Sequence, residues 1–431
     1  MVADIASRQA QEAWQCPNET GGFSQSYPSQ TLRWAAEGRL VFYSEHEKWM
    51  HLYSLFLKDK KLTCLTPGEY EVEDSFLSPD GKTLIYSSNS GDIDRRHLWS
   101  VSVSGGETKL LTPGKGIEWS PVLTSQELVF FASTYSQPAA PAVMNLKTRE
   151  KRLIAPEAIP AHFPLKDMVE PQPVVVKAGD GLDIHCQLFL PKGAKQGDSR
   201  PAVIFMHGGP IRQMLLGWHM RSYYHNAYAL NQYLASKGYL VLSVNFRSGI
   251  GYGFDFRRAP NQGSRGASEY QDIVAAGRYL QKRPEVNPDK IGLWGGSYGG
   301  YLTALGLARN SELFAAGVDL HGVHDWSLRV RRREGESRSS QSEELMSLAY
   351  KSSPVADAYF WTSPVLFVHG DDDRNVDFLQ TTDLVQRLRE LGKAQVEILV
   401  IPDEVHSFLR HDNWVKVFKA AADFFDRFLK K

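Results

Sequence analysis

The sequence predicts an α/β protein in which a partial β-propeller over residues 1–165 precedes an α/β domain over residues 166–431. Three observations support this fold class. Segments rich in β-forming residues repeat along the first part of the chain, strand and helix patterns alternate through the second, and a glycine-rich corner lies within that second part. A chain of 431 residues also exceeds the size at which a single hydrophobic core stops growing, which favours two domains.

The repeats begin at Gly38, at Gly81 and, in a weaker copy, at Gln126. Each has two apolar β-rich runs separated by a polar loop, and a spacing of roughly 45 residues matches one four-stranded propeller blade. The segment "LSPDGKTLIYSSN" adds an Asp-Gly turn of the kind that joins neighbouring strands. Closed propellers have about four to eight blades. We therefore expect further blades upstream of this chain; the alternative is that a partner or another copy covers the open strand edges.

From about residue 170 the pattern changes to alternating strands and helices. Short apolar runs such as "RPAVIFMHGGP", "DKIGLWGGS", "SPVLFVHGDDD" and "VEILVIPDEVH" end in Gly, His or acidic residues. Between them lie helical patterns such as "SEYQDIVAAGRYLQKR", and "NWVKVFKAAADFFDRFLKK" closes the chain. The alternation is typical of a mostly parallel sheet, and ligands of such sheets lie at the carboxyl ends of the strands.

The stretch "GLWGGSYGGY", residues 292–301, places a serine between a strand pattern and a helix pattern. Gly295, Ser297 and Gly299 match G-x-S-x-G, the strained corner that exposes a nucleophilic serine, and so predict an α/β-hydrolase domain. Glycines are needed there because a β-carbon would collide with the incoming strand or the outgoing helix. The alternative is a tight packing turn with a bystander serine. A phosphate-binding loop is excluded, since neither G-K-[ST] nor G-x-G-x-x-G is matched.

A serine nucleophile needs partners, and in this fold an acid and then a histidine follow it on loops after later strands. His406 follows the last predicted strand and precedes the terminal helix, so it is the candidate base. Three consecutive aspartates, Asp371, Asp372 and Asp373, follow the preceding strand. The residues alone leave open which aspartate orients the imidazole and which are turn or capping residues.

Composition and charge exclude several classes of partner and cofactor. The chain carries 49 basic and 49 acidic residues, so no charge excess favours nucleic acid or an anionic membrane. No apolar run approaches the ~18 residues of a membrane span, and the N-terminus shows no signal-peptide pattern. Cys16, Cys64 and Cys186 lie far apart, which predicts neither a disulfide framework nor a zinc site. We expect a soluble cytoplasmic protein without metal or cofactor. Its open blade edges would be prone to association, so a homo-oligomer is one candidate assembly.

Five ordered motifs, "MHGGP", "VNFRSGIGYG", "GGSYGGY", "HGDDDRNV" and "PDEVHSF", resemble the prolyl oligopeptidase family of serine peptidases. The resemblance implies that Asp373, the fourth residue after the histidine in H-G-x-x-D, is the catalytic acid beside Ser297 and His406. It also implies an oxyanion hole formed by the backbone N–H groups of Tyr298 and Gly209.

The resemblance further implies residues that contact substrate. Tyr298, Val323, Trp326 and Val376 match positions that line the pocket beside the serine in prolyl-cleaving members. Asn375 matches the position that binds the second carbonyl of the substrate, where dipeptidyl peptidases also carry Asn. This match favours a short-peptide exopeptidase.

The chain departs from the family pattern at two places. His207 stands where prolyl oligopeptidase and dipeptidyl peptidase IV-like members carry a tyrosine, so their phenolic donor is absent from this position. Arg329 and Arg333 stand where dipeptidyl peptidases carry tyrosines, so a tight proline pocket does not follow from the resemblance.

Two polar segments have no assigned chemistry. The run "GEYEVED" offers glutamates of the kind that hold a free amino terminus in dipeptidyl peptidases, but acidic turns are common, and we expect Glu69, Glu71 and Glu73 to be solvated. The stretch 329–344, "RVRRREGESRSSQSEE", predicts a polar loop or cap.

The resemblance therefore implies a serine peptidase that hydrolyses short peptides through a Ser-Asp-His triad and an acyl-enzyme, with release of dipeptides or acylaminoacyl residues. The propeller would screen out folded proteins. Two alternatives are a carboxylesterase with the same triad and a propeller-based binding protein with an idle hydrolase domain.

Overall fold

The computed structural model describes residues 1–17, 32–334 and 340–430. It divides into two compact units, the first formed by Met1–Leu165 with Gly251–Arg257 and the second by Lys166–Ile250 with Arg258–Lys431. The strands of the first unit are β1 (Val2–Asp4), β2 (Gln9–Gln11), β3 (Arg33–Ala35), β4 (Arg39–Ser44), β5 (His51–Phe56), β6 (Lys61–Cys64), β7 (Val72–Leu77), β8 (Thr83–Ser88), β9 (His97–Ser102), β10 (Lys109–Leu110), β11 (Ile117–Leu123), β12 (Glu127–Ser133), β13 (Ala140–Asn145) and β14 (Lys151–Leu153). The strands of the second unit are β15 (Gln172–Lys177), β16 (Asp183–Phe189), β17 (Arg200–Met206), β18 (Leu240–Val244), β19 (Val286–Gly296), β20 (Ala316–Leu320), β21 (Val365–Gly370) and β22 (Val396–Ile401). The helices are α1 (Ser222–Ser236), α2 (Phe254–Arg257), α3 (Tyr270–Gln281), α4 (Tyr298–Arg309), α5 (Trp326–Glu334), α6 (Ser340–Lys351), α7 (Pro354–Asp357), α8 (Leu379–Leu391) and α9 (His411–Leu429).

The first unit contains three four-stranded antiparallel sheets, β3–β6, β7–β10 and β11–β14, each with its strands in chain order. The repeats that begin at Gly38, Gly81 and Gln126 each supply the last three strands of one sheet, and the first strand lies just before the repeat. The partial β-propeller predicted from these repeats is confirmed. Strands β1 and β2 pair separately as a hairpin.

The Asp-Gly turn predicted between two blade strands lies between β7 and β8. Asp80 accepts hydrogen bonds from the Ser78 hydroxyl at 2.6 Å and from the Lys82 N–H at 3.0 Å. Gly81 has a φ of +71°, and a β-carbon there would lie 2.9 Å from the backbone nitrogen of Ala36. The turn therefore requires glycine for its conformation and for the close approach of a neighbouring strand.

Two of the three glutamates in "GEYEVED" are buried within the first unit, so the prediction that they are solvated is wrong for Glu71 and Glu73; Glu69 is exposed. Glu73 accepts a hydrogen bond from Arg96 Nε at 2.7 Å. Glu71 accepts two backbone N–H groups of the segment 251–257, at 2.9 and 3.0 Å. Each buried carboxylate is thus compensated by donors, as its desolvation requires.

The second unit is built on an eight-stranded sheet with the order β15-β16-β18-β17-β19-β20-β21-β22. Strands β17 to β22 pair in parallel, whereas β15 and β16 join the edge in antiparallel pairing. Helices α3, α4 and α9 pack on the central strands, which is why those strands are nearly continuous apolar runs. The predicted α/β-hydrolase domain is confirmed.

The parallel pairing brings the carboxyl ends of successive strands to one edge of the sheet. Ser297, His321, Asp373 and His406 follow β19, β20, β21 and β22 respectively. This edge is where ligands of parallel sheets bind, so it is the place to look for a functional site.

The polar stretch 329–344 is not the predicted loop where the structure describes it. Residues up to Glu334 belong to α5 and residues from Ser340 belong to α6, and these two helices pack against each other. Residues 335–339 lie outside the described residues. Within the described ranges, no helix combines the length and the apolar character that a bilayer crossing demands.

Candidate active site

Ser297 forms the corner between β19 and α4. Its backbone has φ 58° and ψ −115°, a conformation that a non-glycine residue adopts only at a cost of about 1–3 kcal/mol. A β-carbon on Gly295 would lie 2.6 Å from the carbonyl oxygen of Met206, and one on Gly299 would overlap that same oxygen. The glycines around the serine are therefore required by strand β17, which runs directly beside the corner.

We expect Gly299→Ala to lower the melting temperature by about 5 °C or more, because the added methyl group must displace the β17 backbone. The measurement is a thermal melt followed by circular dichroism. The matched control is Gly179→Ala, where a β-carbon meets nothing within 4 Å. Equal melting temperatures for the two variants would contradict the steric account of the corner.

Asp373 and His406 form a short contact within the site. His406 Nδ1 lies 2.6 Å from Asp373 Oδ2. The other carboxylate oxygen accepts the backbone N–H groups of Asn375 at 2.8 Å and Val376 at 2.9 Å. Burial would by itself raise the pKa of Asp373, but the hydrogen bonds from His369, His406 and these backbone groups hold that pKa well below its usual range. Asp373 is thus an ionised, oriented partner for the imidazole.

The two aspartates before Asp373 have other partners. Asp371 accepts the backbone N–H of Asp403 at 2.7 Å, and Asp372 pairs with Arg374, with both side chains largely exposed. The structure therefore distinguishes three carboxylates that the residues alone left equivalent, and it brings only Asp373 to His406 within the described part of the chain.

Ser297 and His406 line a common cavity of about 290 Å³. Its other lining residues are Gly208, Gly209, Arg212, Arg221, Ser222, Tyr223, Tyr224, Asn375 and Ser407. Gly209 has a φ of +121° and precedes a cis peptide bond to Pro210. Tyr298 is the first residue of α4, so its N–H has no acceptor within the helix. Both of the predicted oxyanion donors thus lie next to the serine or in the cleft that it lines.

The Tyr298 side chain is held by a buried carboxylate. Its hydroxyl donates to Glu269 Oε1 at 2.6 Å, and the Ser248 hydroxyl donates to the same oxygen at 2.7 Å. Burial and the adjacent Glu269 charge raise the pKa of Tyr298 well above its ordinary value. The phenol of Tyr298 is therefore uncharged. The centroid of its ring lies 5.8 Å from that of the Trp326 ring.

A second cavity of about 380 Å³ shares Asn375 with the first. It is lined by Leu328, Arg329, Arg374, Asn375, Val376, Asp377, Leu379 and Gln380. Of the predicted substrate-contact residues, Asn375 thus faces both cavities and Val376 faces the second. Val323 is buried and belongs to the lining of neither, and the side chain of Arg333 lies outside the described residues.

His207 is a packing residue. It is fully buried, its Nδ1 lies 3.0 Å from the Gly208 carbonyl oxygen, and its ring stacks on Phe246 with centroids 4.3 Å apart. Burial lowers its pKa to about 4, so the ring is neutral. No charged group therefore replaces the tyrosine at this position.

Three residues of the site were missed by sequence reasoning. His369 Nε2 lies 3.2 Å from Asp373 Oδ2 and 3.0 Å from the carbonyl oxygen of Val376. His321 has its ring centroid 4.3 Å from that of His406, and Tyr223 lies 3.1 Å from His321. The available signal was that "FAAGVDLHG", like the other strand patterns, ends in His and Gly at the carboxyl edge of the sheet.

His321, Asp373 and His406 also bring ligand-type atoms within 4.8 Å of one another. These atoms are engaged in hydrogen bonds with one another or with neighbouring groups: His406 with Asp373, and His321 with Ser297 and Tyr223. All three side chains of this cluster thus take part in hydrogen bonds within the site.

Two family descriptions match the chain. Residues 225–431 match the prolyl oligopeptidase family, and residues 2–142 match the dipeptidyl peptidase IV N-terminal region. The matches fall on the second and the first unit respectively, apart from residues 251–257.

The chain is similar to dipeptidyl aminopeptidase BIII of Pseudoxanthomonas mexicana, with 30% identity over 280 residues that cover 60% of this chain and 38% of that protein. It is 29% identical to human dipeptidyl peptidase 8 over 375 residues, 81% of this chain and 40% of that one. The chain thus spans about two fifths of the length of these relatives.

Among solved structures, the chain is similar in fold to a puromycin-hydrolyzing peptidase of Mycobacterium tuberculosis. The TM-score is 0.79 at 21% identity, and the match covers 93% of this chain and 62% of that one.

Proposed function

The chain belongs to the prolyl oligopeptidase family, and on this premise we propose that it is a serine peptidase that hydrolyses short peptides through an acyl-enzyme on Ser297. The observation that carries the proposal is the 2.6 Å contact between Asp373 and His406 at the edge of the sheet where the strained serine lies.

The contact supports Nε2 of His406 as the base. An ionised carboxylate can only accept, so Nδ1 carries the proton and donates it to Asp373. The opposite nitrogen, Nε2, is then unprotonated and able to take the proton of the Ser297 hydroxyl. Asp373 stays ionised throughout and stabilises the imidazolium that forms.

The reaction then has two halves. Ser297 Oγ attacks the carbonyl carbon of the scissile bond as His406 accepts the hydroxyl proton, and His406 passes that proton to the departing amine. Water then attacks the acyl carbon as His406 accepts its proton, the bond to Ser297 Oγ breaks, and His406 returns the proton to that oxygen as the acid product leaves. The N–H groups of Tyr298 and Gly209 are proposed to bind the oxyanion, and loss of one such donor costs about 3–4 kcal/mol.

The two cavities that share Asn375 favour a short substrate. Volumes of about 290 and 380 Å³ each accommodate a few side chains, and Asn375 lies between them, where its amide could bind a substrate carbonyl. The names of the relatives indicate dipeptidyl release, and we propose exopeptidase cleavage near the amino terminus of a peptide.

Whether the site accepts a free or an acylated amino terminus depends on which side chains bind the terminus of the substrate. Glu71 and Glu73 hold backbone N–H groups and Arg96 within the first unit. These contacts argue against the two carboxylates as the anchor for a free amine. We therefore expect an acylated peptide to bind without a loss of affinity relative to the free one. Turnover of dipeptidyl nitroanilides compared with their N-acetyl counterparts tests this point, and turnover of esters alone would contradict the peptidase proposal.

We expect Asn375→Ala to raise KM by about 3- to 10-fold with kcat little changed, because one hydrogen bond to bound substrate is lost. Steady-state kinetics on the best nitroanilide measures the effect. The control is Gln386→Ala on the exposed face of α8, where the side-chain amide donates a hydrogen bond to Glu390. An unchanged KM for the Asn375 variant would remove this residue from substrate binding.

A further inference from the structure

His321 occupies a conformation that its surroundings must enforce. It is the first residue after β20, has a φ of +39° and is fully buried. Its own backbone N–H donates to the Val368 carbonyl at 2.7 Å. Left-handed backbone is uncommon for residues with a side chain, although histidine and asparagine adopt it more readily than most. Strained positions of this kind concentrate at functional sites.

The His321 ring contacts the nucleophile on one side and a phenol on the other. The Ser297 backbone N–H donates both to the Leu320 carbonyl at 2.9 Å and to His321 Nδ1 at 3.1 Å. His321 Nε2 lies 3.1 Å from the Tyr223 hydroxyl. Because Nδ1 accepts an amide proton it must be unprotonated, so the neutral ring carries its proton on Nε2 and donates it to Tyr223.

The surroundings of His321 oppose a second positive charge. Burial lowers its pKa well below the ordinary value, and the neighbouring His406 and His369 lower it further, while Asp373 and a backbone hydrogen bond act in the other direction. Tyr223 faces the ring from α1, and Phe408 packs against it with centroids 5.6 Å apart. The ring therefore remains neutral while His406, 4.3 Å away, gains and loses a proton.

From these contacts we infer that His321 is a positioning residue for the reaction, an inference that rests on the proposed peptidase function. It holds the backbone of Ser297 in the strained corner through Nδ1, is itself fixed by Tyr223 through Nε2, and supports the His406 ring by direct contact. An imidazole is suited to this place because it combines an acceptor and a donor at opposite ends of a flat ring and, when buried, adds no charge beside the imidazolium.

The experiment compares two substitutions at this position. His321→Gly removes the ring but suits the left-handed backbone, and His321→Asn tolerates that backbone and keeps an acceptor for the Ser297 N–H. We expect the Gly variant to lower kcat about 10- to 100-fold with KM within twofold, since a misplaced nucleophile slows chemistry more than binding. The Asn variant should retain kcat within about threefold, because the acceptor is kept.

Two further readouts separate positioning from mere packing. Added imidazole should restore part of the activity of the Gly variant by refilling the space with the same donor and acceptor. Selective ¹⁵N-histidine NMR of the wild-type protein should show His321 protonated only on Nε2, without titration between pH 5 and 8. A melt of each variant verifies that it is folded.

Three outcomes would overturn the inference. The first is full kcat in the Gly variant, and the second is titration of His321 between pH 5 and 8. The third is a folded but slow Gly variant that added imidazole does not rescue, together with an Asn variant that is equally slow. Failure of the proposed function looks different. In that case the wild-type protein itself turns over no peptide and a fluorophosphonate does not label Ser297, while the NMR result on His321 still stands.

Discussion

Ser297→Ala is expected to lower kcat on a peptide nitroanilide by about 10⁶-fold, the scale observed when a serine nucleophile is removed. The reason is that the proposed acyl-enzyme forms on this hydroxyl. Binding groups and oxyanion donors remain, so about 10³–10⁴-fold acceleration over the uncatalysed reaction should persist. KM should change little, because the hydroxyl contributes mainly to the transition state.

The measurement combines steady-state kinetics with covalent labelling. A fluorophosphonate should label the wild-type protein at Ser297, as mass spectrometry of the peptide would show, and should not label the variant. The control is Ser236→Ala, an exposed serine at the end of α1 whose hydroxyl donates to the Tyr233 carbonyl. If the Ser297 variant keeps wild-type rates, the nucleophile is elsewhere and the peptidase proposal fails.

Asp373→Asn is expected to lower kcat by about 10⁴-fold while the fold is preserved. Asparagine is close in size, but its amide group can donate to His406 Nδ1. That contact favours the tautomer with the proton on Nε2, the nitrogen that must accept the serine proton.

The pH dependence of stability gives an independent check on Asp373. Hydrogen bonds hold its pKa below the usual carboxyl range, so its contribution to stability is present above the unfolded pKa, near 4. That contribution is lost as the pH falls towards the folded pKa. The wild-type protein should therefore lose more stability than the Asn variant between about pH 4 and pH 2 in urea melts.

The control for both measurements is Asp372→Asn, the same substitution one residue earlier. Asp372 is exposed and pairs with an exposed Arg374, and such surface pairs contribute about 0–1 kcal/mol. Comparable losses of kcat in the two variants would show that the acid had been assigned to the wrong residue.

The corner at Ser297 illustrates what short-range sequence determines. Whether a chain can turn from strand to helix at one residue depends on sterics among that residue and its immediate neighbours, and Gly295 and Gly299 are readable in the sequence. The blade repeats and the alternation of strands and helices are likewise periodic signals within a few tens of residues. Both predicted architectures followed from such signals.

Local sequence signals could not decide which of Asp371, Asp372 and Asp373 is the catalytic acid. From the residues alone the three carboxylates were equivalent, and only the resemblance of "HGDDDRNV" to a family pattern separated them. In the structure they differ because the loop after β21 directs Asp373 towards His406 and leaves the other two facing Asp403 and Arg374.

Glu71, His321 and Tyr223 show what only the tertiary structure decided. Glu71 was expected to be solvated, but it binds backbone groups about 180 residues away in the chain, and no local pattern encodes such a partner. His321 and Tyr223 meet the nucleophile because parallel pairing sets β19 and β20 side by side and α1 packs near them. Local sterics and periodicity depend on residues close together in the sequence. Which residues from distant parts of the chain come into contact depends on how the complete chain packs.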